Sequence, residues 1–360
     1  MSNPDDIAES GSATDRGPGA PARRLPKILA AGGLAITLMI AGYAAWRGTD
    51  SGEPAPVEPE PVAVDMSPPP EDWWTRPLEL PGGYVLAGAD VPRYFDATTG
   101  DRQSKALILN RATGRYIALT DYDAVLAAPR GDLAAVSNSD RPREIGVLDV
   151  PTGRVRWVRL PARPMAPPSW SPDGTRLLLT LRDKERGEEH LGVLDARAAR
   201  LRTFLVGGPT APESFSCTDS CVFTWMPDGT EVAYPQTDHF AQLSEARRHP
   251  RRGLQLFSAD TGAPTRLLPV RGDVTGAYAW SPDGRHVVVQ GQETPQLVKV
   301  ATGEVIQDLA VADVYWAGND RLVRLQGRKA IVSDLSGRII ERHPFPAELH
   351  DRYVVALGKP

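Results

Sequence analysis

The chain has 360 residues, 41% of them hydrophobic and 24% charged, a globular composition with room for one large domain or two ordinary ones. The formal net charge of −4 is small and gives no sign of bulk attraction to nucleic acid, and no nucleic-acid partner is expected. The 34 prolines and 33 glycines fit a chain broken by many tight turns, together with a proline-rich linker.

Residues 1–26 are rich in Ser, Gly, Pro, Ala and Asp, have no apolar period, and read as a disordered cytoplasmic tail. Residues 27–47 are expected to form a transmembrane helix. Ile28 to Trp46 carries no charge, and its 19 residues would make about 28 Å of helix against the ~30 Å hydrocarbon core of a bilayer. Arg23, Arg24 and Lys27 precede it and only Arg47 follows, so the tail is placed in the cytoplasm and the rest outside. The competing reading is a cleaved signal peptide; the long tail and long apolar run favour an uncleaved anchor. Residues 48–82 form a Pro-rich extracytoplasmic linker that ends near Trp73-Trp74, a pair expected to dock on the rim of the following domain or to lie at the membrane interface.

Residues 83–357 read as an all-β domain built from repeats. Trp170-Ser171-Pro172-Asp173-Gly174 recurs as Trp225-Met226-Pro227-Asp228-Gly229 and Trp280-Ser281-Pro282-Asp283-Gly284, a spacing of 55 each time, with a degenerate copy at Trp316 and another at Ala127–Asp132. Each motif precedes an apolar run. Pro fixes φ, Asp accepts local backbone bonds and Gly supplies the left-handed conformation, so each is a turn between antiparallel strands. A second turn signal of the Asp-x-Thr-Gly kind follows, as at Asp149–Gly153 and Asp260-Thr261-Gly262. Two hairpins per unit give a four-stranded propeller blade. The expected fold is a six-bladed β-propeller, with blades near 84–120, 121–160, 165–206, 211–270, 274–311 and 312–345. The repeated Trp is expected to pack between blades, and the tail at 352–357 to pair within the first blade and close the ring.

On these turns the chain resembles the TolB-like and WD40-like β-propellers, whose blades open with Trp-Ser-Pro-Asp-Gly before an apolar strand. The Gly-His and Trp-Asp pairs of WD40 blades are missing. Asp149–Trp157 locally resembles the repeat of quinoprotein-type propellers, and its Trp occurs once.

Few residues point to chemistry. Cys217 and Cys221 are the two cysteines, and a disulfide between them requires the turn that Thr218-Asp219-Ser220 can make; free thiols or a metal site are the alternatives. Arg247, Arg248, Arg251 and Arg252 form a basic cluster in a fourth-blade insertion, a candidate for binding an anionic partner or otherwise a solvated loop. The mixed-charge stretch from Arg182 to Glu189 reads as a solvated hairpin tip. Asp173, Asp228 and Asp283 are assigned to turns because each recurs at one blade position. Gly-x-Ser-x-Gly, His-Glu-x-x-His and P-loop motifs do not occur, and no catalytic residue, cofactor or metal ligand is expected. The expected function is a membrane-anchored extracytoplasmic binding or assembly module of the cell envelope, with an envelope protein or a polyanionic wall component as partner. The alternative is an enzyme or cofactor-binding propeller with a site at the central channel.

Overall fold

The computed structural model describes residues 72–95, 102–207, 221–238, 250–326, 328–346 and 354–359, with Phe215, Cys217 and Leu349. The tail, the apolar run at 28–46 and most of the linker lie outside them. Among the described residues no helix is long and apolar enough to cross a membrane.

Six antiparallel sheets follow one another along the chain. Blade three is representative. Its inner strand Ser169–Trp170 is short, Arg176–Asp183 pairs beside it, and Glu188–Asp195 and Arg200–Gly207 complete the blade. The apolar runs therefore form the second strand of each blade, and the innermost strand is the one that carries the Trp. In Arg176–Asp183 five consecutive residues, Leu177 to Leu181, are buried. A strand covered on both faces by neighbouring blades shows an unbroken apolar run of this kind.

The core is distributed between blades. One buried cluster joins blades one and two, one joins two and three, one joins three and four, one runs through four, five and six, and one joins six to one. That circuit closes a six-bladed ring.

The last strand makes the closure. Val354–Gly358 pairs antiparallel with Tyr84–Phe95 along the edge opposite Arg102–Asn110; Gly88 has Ala356 on one side and Ile108 on the other. The C-terminus thus supplies the inner strand of the first blade, and no open edge is left at the seam. Strands alternate in direction, so the two turn motifs of every blade gather at one end of the ring. The links from second to third strand and from blade to blade gather at the other. The chain enters at the turn end: Leu78 N donates to the Tyr116 hydroxyl at 3.1 Å, and Pro77 lies beside the Gly114 turn. The short helical turn Trp73–Thr75 packs against the strand Arg115–Leu119, leaving Trp74 46% exposed.

Candidate functional site

The Pro-Asp-Gly turns are self-contained. In blade three Ser171 Oγ donates to Asp173 Oδ1 at 2.5 Å, Thr175 donates through N and Oγ1 to the same carboxylate, and Arg176 N donates back to Ser171 Oγ at 2.9 Å. Asp228 accepts from Thr230, and Asp283 from Ser281 and Arg285. Burial raises the Asp173 carboxyl, and the bonds from Ser171 and Thr175 outweigh it, holding the group below the usual carboxylate range. Gly174 has φ of 74°, and a Cβ there would come within 2.6 Å of the Arg130 carbonyl in blade two. Gly229 and Gly284 share the left-handed conformation. These carboxylates are spent on the turns.

The Trp residues tie blade to blade. Trp170 Nε1 donates to Leu126 O at 2.9 Å, Trp225 to Ser169 O at 3.1 Å and Trp316 to Ala279 O at 3.0 Å, the acceptor holding the same position in the preceding blade each time. Trp280 is buried in the equivalent place, and its Nε1 has no acceptor among the described residues. Arginines reinforce the turn end. Arg111 reaches the Ala128, Pro129 and Gly131 carbonyls, Arg156 those of Ala196 and Arg197, and Arg176 that of Gly229 while lying over the Trp225 ring. Asp149–Gly153 is one of these turns, and its Trp157 packs beside Tyr122 and Arg141. The turn end is scaffolding.

Tyr278 of blade five donates to Leu357 O at 3.0 Å and accepts from Leu357 N at 2.8 Å, which puts its side chain across the inner face of blade six and onto the closing strand. Burial pushes its hydroxyl up to about 12. Lys359 continues the seam, donating through N to Pro129 O and through Nζ to Gly82 O while lying over the Tyr84 ring.

The opposite end holds what sequence reading missed. Arg182 and Glu189, assigned to a solvated tip, are cross-strand partners that form an ion pair, and Glu189 is 8% exposed. The solvated part of that hairpin is confined to 184–187. Tyr234 of blade four donates to Glu189 Oε2 at 2.5 Å. Burial, and then the Glu189 carboxylate, push the Tyr234 hydroxyl above its ordinary range. On the other face of blade four, Arg251 donates to both oxygens of Asp273, at 2.8 and 3.1 Å, and to Thr237. The one available signal was the polar continuation Gln236-Thr237 of a buried strand; both are almost fully buried.

Arg251 therefore departs from its predicted role. It is the first residue of Arg251–Ser258, 7% exposed and committed to Asp273, whereas Arg252 is exposed. Arg247 and Arg248 lie outside the described residues. The disulfide is present: Cys217 and Cys221 are bonded, with Cα atoms 6.1 Å apart, in the link between blades three and four. Beside it Phe223 stacks on Tyr234 at 4.4 Å and donates its N–H to Thr180 Oγ1. Where the inner strands of blades four to six begin, a cleft of about 240 Å³ is lined by Val222, Pro235, Asp273, Val274, Thr275, Gln290 and Ala312. Among the described residues no group of three or more His, Cys, Asp or Glu is arranged to hold a metal.

No protein-family model matches the sequence, and no curated protein matches it. Among solved structures the chain is similar to TolB from Acinetobacter baumannii, at 15% identity and a TM-score of 0.46, over 76% of this chain and 66% of that one. It is similar to the β-propeller domain of the Trilobed protease from Pyrococcus furiosus, at 13% identity and 0.49, over 75% and 83%. Against Pyrococcus horikoshii acylaminoacyl peptidase the values are 15% and 0.49, over 74% of this chain and 44% of that chain. The chain thus spans less than two-thirds of the TolB chain and less than half of the peptidase.

Proposed function

We propose that this chain is a membrane-anchored, extracytoplasmic β-propeller that binds a protein or ligand of the cell envelope through the end of the ring opposite the repeated turns. The observation that carries the reading is the disposition of charge. Arg182 and Glu189, and Arg251 and Asp273, form two ion pairs at that end, and Tyr278 bonds to the closing strand. Paired, buried charges rigidify a surface and leave no poised acid or base among themselves. The linker joins the ring at its turn end, which leaves the opposite end clear of the attachment. The links there differ from blade to blade, and variable loops on a rigid frame are where propellers and other scaffolds carry recognition.

The partner class follows from the basic segment that runs into blade four's third strand. Arg247, Arg248 and Arg252 suit an acidic envelope protein or a polyanionic wall component, with Arg251 excluded by its pairing to Asp273. Replacing those three with Gln and measuring retention of the full-length chain on isolated envelopes tests this, and unchanged retention sinks the choice of partner. Location is tested separately by a reporter fused after Pro360. Activity restricted to the cytoplasm overturns the orientation. A second reading, a small ligand at the channel mouth, is favoured by the cleft where Thr275 and Gln290 stand beside Asp273.

A further inference from the structure

The interface between blades five and six carries donors that meet no acceptor. Trp316 and Leu322 belong to the core shared with blade five and Val314 packs on it, whereas Tyr315 and Val323 belong to the core shared with blade one. Side chains alternate along a strand, so Arg324, two residues beyond Leu322, faces blade five. Register carries that row outward: Arg324 pairs with Ile331, and Ile331 with Arg342. The two arginines stand on one face, two strands and roughly 10 Å apart, within the combined reach of their side chains.

Blade five brings a buried amide to the same interface. His286 stacks against Trp316, which fixes the face that blade five turns toward blade six. Val288 lies on that face, and the row Val288, Leu297, Gln307 leads to Gln307. A Cβ built on Gly337 of blade six would come within 2.9 Å of Gln307 Oε1, so the amide lies in the interface.

Among the described residues neither Arg324 nor Arg342 has a hydrogen-bond or ion-pair partner, and Arg324 Nε and Gln307 Nε2 are both sealed from solvent without an acceptor. This sets them apart from the arginines of other interfaces, which donate to carbonyls of the next blade or to Glu189 and Asp273. Two guanidinium groups on one face, neither with a partner among the described residues, match an oxyanion, whose oxygens accept in the planar fork geometry of arginine.

We propose that the face of blade six turned toward blade five binds a small oxyanion, held by Arg324 and Arg342. The test is thermal unfolding and titration calorimetry of the purified full-length chain with sodium phosphate, sulfate or acetate, ionic strength being held with sodium chloride. The expected result is saturable binding with a rise in Tm of about 3 °C at tenfold excess over Kd. Phosphate and sulfate without acetate identify a tetrahedral oxyanion; acetate binding identifies a carboxylate. The double change Arg324→Gln and Arg342→Gln should abolish the shift, and Arg141→Gln, an exposed cation elsewhere, should keep it. Absence of saturable binding by the unaltered chain overturns the proposal whether or not the variants fold, and so does undiminished binding by the double variant.

Discussion

The indole Nε1 of Trp170 donates to the backbone carbonyl of Leu126, 44 residues earlier and one blade back, at 2.9 Å. The same bond links blades three and four and blades five and six, whereas the buried Nε1 of Trp280 has no acceptor among the described residues. The four tryptophans therefore form a natural comparison. Trp170→Phe and Trp280→Phe remove similar apolar volume, but only the first removes a bond. The first variant should be less stable than the second by about 1–2 kcal/mol, the cost of a carbonyl left without its donor. Chemical denaturation of the two variants against the parent checks this; equal losses would mean that the indoles act by volume alone.

The Tyr278 hydroxyl adds two hydrogen bonds to the strand pairing that closes the ring. Tyr278→Phe keeps the ring in place and deletes two hydrogen bonds to the closing strand. The expected loss is about 1–2 kcal/mol of stability. Amide exchange should accelerate most at Val354–Gly358, ahead of the interior strands of blades three and four.

The Arg182–Glu189 pair lies largely out of water, and a buried pair is costly to halve. Glu189→Ala, which leaves Arg182 and the Tyr234 hydroxyl without their acceptor, is predicted to cost roughly 3–5 kcal/mol. The double replacement Arg182→Met and Glu189→Leu should recover much of that, because no unpaired charge remains. A double variant as unstable as Glu189→Ala would show that the pair is needed for more than neutralising itself.

The pH dependence has a defined sign at both limits. Bonds from Ser171, Thr175, Ser281 and Arg285 outweigh burial and hold Asp173 and Asp283 below the ordinary carboxylate value of 3.8. A depressed folded-state pKa stabilises above the unfolded value, so this contribution is complete above about pH 4 and is lost as pH falls further. Tyr116 and Tyr278 are displaced the other way, burial raising both to about 12 from 10.0. Their contribution is complete below pH 10 and is lost as pH rises from 10 to 12. Tyrosinate absorbance and Tm measured across that window should move together.

The ring was legible because its signals are local. A Pro-Asp-Gly turn and the apolar run behind it lie within a dozen residues, and blade-sized repetition at Trp170, Trp225 and Trp280 turns three local signals into an architecture. The closing strand at 354–358 could be expected too, since an unpaired apolar strand after the last blade has one vacant edge to fill. The buried polar network could not. Arg182 and Glu189 look solvated in sequence, and only the hairpin register brings them together, while Tyr234 reaches Glu189 from another blade. Proximity in sequence groups Arg251 with Arg247, Arg248 and Arg252. Strand formation from residue 251 turns that side chain inward to Asp273 and its neighbour outward.

The central claim is that recognition takes place at the end of the ring opposite the repeated turns. It is tested most directly by placing a photo-crosslinking amino acid at exposed positions of each end in the full-length chain in its native membranes. Asp140 and Glu293 mark the opposite end, and Thr152 and Glu304 the turn end. The account predicts a discrete adduct from the first pair, absent from the second and lost when unlabelled full-length chain is supplied in excess. Adducts arising from Thr152 and Glu304 alone, or equally from all four positions, would contradict it.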